Sequence, residues 1–318
     1  MDVLRLIGDF GILPVIEPIN SKNAIPVSRA LLKSRINVVE ITCNSSKGID
    51  FIRTVSAGCP DICLGAGGIY TPEQAKSAVA AGAGFILSPG FNRELIDWCH
   101  EENISLIPCC TNSYEFEEAE NLGLSVVGIA GESNYADLSG VKMLVDTFPN
   151  MKFIPALGSM DDNLDELLKN PNIYAVRISL PCSEMDISES SLSTITARCN
   201  EARRKALGYS FAHLGINCPE PEMSSKVCES FSKTFDFSVR DLGNSNFVSA
   251  NFEVMKKTFP GEHGHIAIRT ANIRRAIADM DAKGIELDME TAGYRNGAMI
   301  SVYLKESIGG FAIHLLQI

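Results

Sequence analysis

The sequence predicts an α/β protein: a (β/α)8 TIM barrel followed by an α+β domain of paired βαβββ modules. First, a unit of short apolar run, turn and amphipathic stretch recurs from Ile12 to about Cys182. Second, short strand-like runs replace this alternation after residue 206. Third, that later segment reads as two similar halves. We therefore predict two domains, residues 1–206 and 207–318.

Eight apolar runs supply the predicted barrel strands. Both faces of a strand in a parallel barrel are buried, so such strands are continuous apolar runs. The stretches between them carry helix-starting residues and apolar residues three and four apart. An open doubly wound sheet is the alternative, although no GxGxxG motif follows the first run. The runs begin at Ile12, Asn37, Ile62, Gly84, Ile104, Ser125, Lys152 and Tyr174.

Two halves of similar order make up the second predicted domain. The first half contains FAHLGIN, the helix-like PEMSSKVCESFSKTF, then FSVRDLG and FVSANFEVMK. The second contains GHIAIRT, the helix-like NIRRAIADMDAKG, then AMISVYLKES and GFAIHLLQI. Each half follows a strand, helix, strands pattern, which predicts a βαβββ module used twice.

Composition narrows the class of partner. The chain has 318 residues, 45% hydrophobic and 21% charged, which is ordinary for a globular protein. A net charge of −11 disfavours a nucleic-acid partner, and no apolar run is long enough to span a membrane. The ten cysteines show no CxxC spacing, which favours a reduced, cytoplasmic protein. A small-molecule ligand fits this composition best.

The carboxyl ends of the predicted barrel strands carry several polar side chains. Chemistry in TIM barrels takes place at these ends. Glu40 is the most informative residue, because a carboxylate within an apolar strand is costly to bury unless it is paired or used. A proton-transferring Glu40 and a merely hydrogen-bonded one both remain open. The other candidate ligand-binding residues are Thr42, Asn44, Pro89, Thr111 and Ser179.

Five stretches of the chain carry a family resemblance: LPVIEPI, VVEITCN, GAGGIYTPEQAKSAVAAGAGFILSPG, SLIPCCTNSYE and SGVKMLVDTFPNMKFIPALGS. In these stretches the chain resembles the KDPG/KHG aldolases (2-keto-3-deoxy-6-phosphogluconate and 2-keto-4-hydroxyglutarate aldolases). The resemblance covers about residues 10 to 205. It implies a carbon–carbon lyase that acts on a 2-keto acid through a lysine Schiff base. Glu40 matches the proton-shuttling glutamate of that family, and Pro89 is similar to its pyruvate-cradling proline.

The departures from this family concern its cationic and loop residues. Gly128 stands at the Schiff-base lysine, and iminium chemistry needs a primary amine, so class I aldolase activity is not expected. Asn44 replaces the substrate-binding arginine, and Gly68 replaces a threonine. Residues 177–179 stand where that family has its glycine-rich phosphate loop. Residues 155–158 stand where it has a further turn. The loss of these cations predicts weak attraction for a phosphorylated acid.

Four residues of the second domain are of the types that bind a divalent transition metal. This domain resembles the vicinal oxygen chelate superfamily of glyoxalase I and the extradiol dioxygenases. The resemblance implies that His213, Glu253, His265 and His314, on the first and last strands of each module, bind Fe, Zn, Ni, Co or Mn. Ordinary, partly buried polar residues are the alternative. His263 is expected in the turn or on the opposite face.

Three functions follow as hypotheses. The barrel implies a lyase that acts on a 2-keto or 2-hydroxy acid. The ligand set implies a metal-dependent isomerase, lyase or oxygenase centred on the second domain. A 2-keto-acid-binding protein without turnover is the third. The two resemblances together imply a homo-oligomer, a trimer or an assembly of dimers.

Overall fold

The structure, a computed structural model, describes residues 2–130, 135, 137–157, 164–180 and 188–317. Its contacts divide the chain into two compact units, Met1–Ala206 and Leu207–Ile318. Within the described ranges, no helix combines the length and apolar character needed to cross a membrane.

The first unit is a closed barrel of eight parallel strands in chain order, with the eighth strand paired to the first. This confirms the predicted barrel and excludes the open sheet. Its strands are β1 Ile12–Ile16, β2 Val38–Thr42, β3 Cys63–Gly67, β4 Phe85–Ser88, β5 Ser105–Cys110, β6 Val126–Ile129, β7 Lys152–Leu157 and β8 Val176–Ser179. Its helices are α1 Val3–Phe10, α2 Ala24–Lys33, α3 Ser46–Gly58, α4 Pro72–Ala81, α5 Arg93–Glu101, α6 Ser113–Asn121, α7 Leu138–Thr147, α8 Leu164–Lys169 and α9 Glu189–Leu207.

Local sequence fixes where several barrel helices begin and end. Thr71 and Gln74 form a reciprocal capping box at the start of α4, and Pro72 occupies the first turn, where its missing N–H costs nothing. Gly82 ends this helix at a φ of 111°, a conformation that side chains other than glycine rarely adopt. Asn92 and Asn112 cap α5 and α6 in the same way that Thr71 caps α4.

The barrel interior is built in layers. Side chains two residues apart on a strand point to the same side, so the interior sequence of each strand has a period of two. An apolar cluster fills the interior and continues onto α1. It comprises Val3, Ile7, Leu13, Val38, Phe85, Leu87, Ile107, Val126, Ile154 and Ala175. Glu40, Cys109, Gly128 and Arg177 each follow a member of this cluster by two residues.

The second unit is one eight-stranded mixed sheet with two helices. Its strands are β9 Ser210–Ile216, β10 Val239–Asp241, β11 Ser245–Val248, β12 Phe252–Met255, β13 His265–Thr270, β14 Leu287–Arg295, β15 Ala298–Leu304 and β16 Ala312–Gln317. The helices are α10 Pro221–Phe235 and α11 Ile273–Ala282. The strand order is β10-β11-β12-β9-β13-β16-β15-β14.

Each half of this sheet has the order strand, helix and three strands. In each half the first strand pairs in parallel with the last, β9 with β12 and β13 with β16. The antiparallel pair of β9 and β13 joins the halves at the centre of the sheet. The structure differs from the predicted elements in two details. The run FVSANFEVMK contains parts of two strands, β11 and β12, and β14 is a strand that the prediction did not include.

Two candidate functional sites

A bidentate ion pair occupies the barrel interior. Arg177 Nε donates to Glu40 Oε2 at 2.7 Å, and its Nη2 donates to Glu40 Oε1 at 2.6 Å. The Glu40 side chain is 2% exposed and that of Arg177 20%. The two residues meet because each lies two positions beyond an apolar interior residue, Val38 and Ala175. Parallel hydrogen bonds between charged groups are among the stronger polar contacts in proteins.

The neighbouring carboxylate keeps the guanidinium of Arg177 charged. Burial alone would lower the pKa of Arg177, but the Glu40 carboxylate outweighs burial and raises that pKa above its usual value. Gly67 makes room for the carboxylate, since a Cβ at that position would overlap Glu40 Oε1. Both oxygens of Glu40 are held by the guanidinium. Each oxygen keeps a second lone pair, so a proton-transferring Glu40 is compatible with this arrangement.

A thiol fills the space beside the predicted lysine position. A Cβ on Gly128 would overlap Cys109 Sγ, and Arg177 Nη1 lies 4.0 Å from that sulfur. Burial raises the pKa of Cys109 to about 11, against an opposing effect of the Arg177 charge, so the thiol is protonated at neutral pH. Lys152, at the start of β7, donates to the carbonyl of Pro171. The interior assembly therefore consists of Glu40, Arg177 and Cys109 beside Gly128.

The other predicted barrel residues lie at strand ends but outside this assembly. The backbone N–H and hydroxyl of Thr111 both donate to Glu115 Oε2, at 2.6 and 2.9 Å. Asn44 is exposed, with Oδ1 against Gly68. Thr42 and Pro89 are half-buried and Ser179 is exposed. Gly158 lies outside the described residues.

Sequence reasoning missed the role of Arg177, which it treated as part of an altered loop. That expectation concerned Gly128 and Asn44, which carry no charge, whereas Arg177 points inward from β8 and places a different cation in the barrel. The signal was present in the sequence: Arg177 is a charged residue within the apolar run YAVRISL. This is the pattern that singled out Glu40.

In the second unit, the four predicted metal ligands lie on one face of the sheet. Strand pairing sets Glu253, Gly215 and His265 in one row across β12, β9 and β13. A second row contains His213, Ala267 and His314 across β9, β13 and β16. The rows are two residues apart on β9 and on β13, so their side chains share a face.

The ligand atoms lie close together. Glu253 Oε2 is 3.0 Å from His213 Nε2 and 3.2 Å from His265 Nε2. The two Nε2 atoms are 3.2 Å apart. One nitrogen from each of His213, His265 and His314 can be chosen so that all three lie within 4.8 Å of one another. All three histidines are buried.

The pKa values of Glu253 and His314 favour the protonation states that metal binding requires. Burial alone would raise the pKa of Glu253, but hydrogen bonds with the two nearest histidines and Ser245 keep it well below its usual range. Burial, with the neighbouring histidines, lowers the pKa of His314 to about 4. A carboxylate and a neutral imidazole are the forms that bind a metal, and the shifts favour these forms of Glu253 and His314 at neutral pH.

Small residues and aromatic rings hold the ligands in place. Gly215 lies beneath the His265 ring, and a Cβ there would overlap that ring. Ser245 Oγ donates to Glu253 Oε1 at 2.7 Å, which fixes the carboxylate. The Tyr303 ring stacks on His314 with ring centroids 4.7 Å apart. Phe247 meets the edge of His213, with ring centroids 5.3 Å apart.

The cluster fits a divalent transition metal by two tests. Adjacent donor atoms bound to one ion at about 2.1 Å are about 3.0 Å apart in octahedral geometry, and the carboxylate and two imidazoles match this spacing. Both ring nitrogens of His314 are buried and lack a hydrogen-bond partner among the described residues. Such orphaned atoms are uncommon unless a ligand satisfies them.

The remaining histidines lie apart from this cluster. His263 is in the turn before β13, with its ring centroid 5.5 Å from that of Phe311. His100 is exposed in the last turn of α5.

Comparisons with known proteins concern the barrel unit. Residues 5–197 match the family model described as KDPG and KHG aldolase. The chain is 30% identical over 186 residues to the 2-dehydro-3-deoxy-phosphogluconate aldolase of Treponema pallidum, which covers 58% of this chain and 89% of the relative. The enzyme of the same name from Haemophilus influenzae is 29% identical, over 54% of this chain and 82% of the relative.

A solved structure agrees with these matches. The KDPG aldolase of Legionella pneumophila, with pyruvate captured as a covalent carbinolamine intermediate, superposes with a TM-score of 0.59 and 29% identity. The match covers 64% of this chain and 98% of that chain.

Proposed function

We propose a function that starts from one fact: this chain belongs to the KDPG and KHG aldolase family. Its relatives are named as aldolases, and membership supports a 2-keto-acid aldolase-type lyase. The finer proposal is that its chemistry is metal-dependent and is centred on His213, Glu253, His265 and His314 in the second unit.

One observation carries this proposal. Four side chains of metal-ligating type, from four strands, converge at donor spacings that suit one ion. A chance polar cluster would be expected to satisfy its own hydrogen bonds, whereas His314 leaves both nitrogens unpaired among the described residues. The pairing of first and last strands in each half also supports kinship with the vicinal oxygen chelate superfamily.

The chain's own residues prepare this site. Ser245 orients Glu253, and Gly215 leaves room for the ring of His265. Tyr303 restrains His314 by stacking. A divalent cation bound here would supply Lewis acidity toward the adjacent carboxylate and keto oxygens of a 2-keto acid. Supporting residues of this kind commonly affect metal affinity nearly as much as the ligands do.

The class I route of the family is closed in the barrel. Iminium formation needs a primary amine, and Gly128 supplies none. Cys109 fills the adjacent space, and its thiol is protonated at neutral pH. Both carboxylate oxygens of Glu40 accept hydrogen bonds from Arg177. These observations support a reaction that does not pass through a Schiff base.

The test is the metal content of the purified full chain, measured by inductively coupled plasma mass spectrometry. We expect about one equivalent of Fe, Zn, Ni, Co or Mn per chain. His265→Ala and Glu253→Ala should each lose most of it, with an unchanged circular dichroism spectrum. A wild-type protein that takes up none of these metals would overturn the proposal.

The matched control is His263→Ala, which removes an imidazole two residues from His265. Its ring packs against Phe311, so this variant should keep its metal. The metal-free and the metal-restored proteins are then each assayed with a panel of 2-keto acids. The products identify the reaction class. Carbon–carbon cleavage supports the lyase, whereas isomerised or oxygenated products indicate the other chemistries of a metal centre.

A further inference from the structure

The guanidinium of Arg177 has one edge that no oxygen acceptor of the described residues occupies. A guanidinium carries five N–H donors in a fixed planar fork and can meet one carboxylate on each of two edges. Glu40 takes the edge formed by Nε and Nη2. Of the other three N–H groups, one on Nη2 and one on Nη1 form a second edge. Among the described residues, their nearest partner is Cys109 Sγ, 4.0 Å from Nη1.

This edge is a poor match for its present neighbour. A protonated thiol is a weak acceptor, and a contact of 4.0 Å is at the limit for sulfur. The guanidinium remains charged, because Glu40 raises its pKa despite burial. A charged donor edge whose partner is a weakly accepting thiol favours an anion that reaches it.

The edge also lies where a ligand can arrive. Arg177 is the more exposed partner of the ion pair, at 20% against 2% for Glu40. It follows the apolar interior residue Ala175 by two positions in the direction of the carboxyl end of β8, the end at which ligands of TIM barrels bind. Gly128 carries no side chain to compete with a ligand there.

We infer that the barrel binds a small carboxylate without covalent chemistry, on the Nη1–Nη2 edge of Arg177. Glu40 is then a fixed counter-ion that aims the guanidinium, and Arg177 is a binding residue of the barrel. This site is separate from the metal centre proposed above, and neither depends on the other.

The experiment titrates the full chain with pyruvate by isothermal calorimetry. It uses the His265→Ala background, so that a metal-bound ligand does not contribute. We expect pyruvate to bind to this protein and pyruvamide, which lacks the charge, not to bind. Arg177→Lys in the same background should weaken pyruvate binding by about tenfold or more, because an ammonium cannot offer two bidentate edges.

A second variant guards against misfolding. Glu40→Gln with Arg177→Met removes both charges and leaves no buried ion unpaired, and it should also lose pyruvate binding. Retained binding in either Arg177 variant, equal binding of pyruvamide, or no binding of pyruvate to the His265→Ala protein would each overturn the inference. Absence of metal from the wild-type protein would overturn the proposed function and leave this result unaffected.

Discussion

Replacing Arg177 with methionine should destabilise the barrel unit strongly. The change leaves Glu40 buried, with 2% exposure and without a countercharge. Removing one partner of a buried ion pair costs about 3–5 kcal/mol. For a unit of this size, about 2–4 °C of melting temperature is lost per kcal/mol, so the unit should melt about 6–20 °C lower.

The double variant supplies the other half of the test. Glu40→Gln with Arg177→Met exchanges the ion pair for uncharged groups of similar volume, and an unpaired buried amide costs less than an unpaired buried charge. We therefore expect the double variant to recover most of the stability that Arg177→Met loses. This coupling measures the ion pair itself, because the two side chains are in direct contact.

Trp98 makes the measurement specific to one unit. It is the one tryptophan of the chain and lies on α5 of the barrel, so its fluorescence during urea unfolding follows that unit. A single variant as stable as the wild type, or additive effects of the two changes, would refute the reasoning.

Two further predictions follow from the glycines at the two sites. Gly215→Ala should displace the His265 ring and lower the metal content sharply, whereas Gly84→Ala, which meets no neighbour closer than 3.4 Å, should leave metal content unchanged. Equal metal content in both variants would contradict the packing argument. Treatment with pyruvate and borohydride should leave no reduced adduct on the wild-type barrel or on Gly128→Lys, because Cys109 obstructs a side chain at residue 128. Mass spectrometry should detect an adduct only when Cys109→Ala is combined with Gly128→Lys. An adduct on the wild type would mean that another lysine has taken over.

The fold was largely predictable because burial leaves a strong pattern in the sequence. All eight barrel strands appeared as apolar runs, since their two faces are both buried. The second unit was harder. The residues of β14, LDMETAGYR, are half-buried or exposed on both faces, so no alternation marks a strand there. The turn between β11 and β12 is short, with Ser249 at a φ of 55°, and its polar residues did not interrupt the apparent run.

The metal-type cluster of the second unit could be predicted from the sequence more fully than the barrel interior. The four candidate metal ligands could be selected because each lies within a strand-like run at a matching place in the repeat. The sequence could not reveal that Glu40 is engaged by Arg177, because the two residues are 137 positions apart and meet only when the barrel closes. Nor could it predict that Cys109 fills the space beside Gly128, which is a matter of packing between β5 and β6.

The interior ion pair has a consequence for how this barrel can change over evolutionary time. Restoring an amine at residue 128 requires space now held by Cys109. Removing Arg177 to enlarge the pocket would leave the carboxylate of Glu40 buried without a countercharge. Each single substitution back toward a Schiff-base enzyme therefore passes through a less stable protein, and several must occur together. The present packing of Glu40, Cys109 and Arg177 therefore opposes the introduction of a Schiff-base lysine at residue 128 by any single substitution.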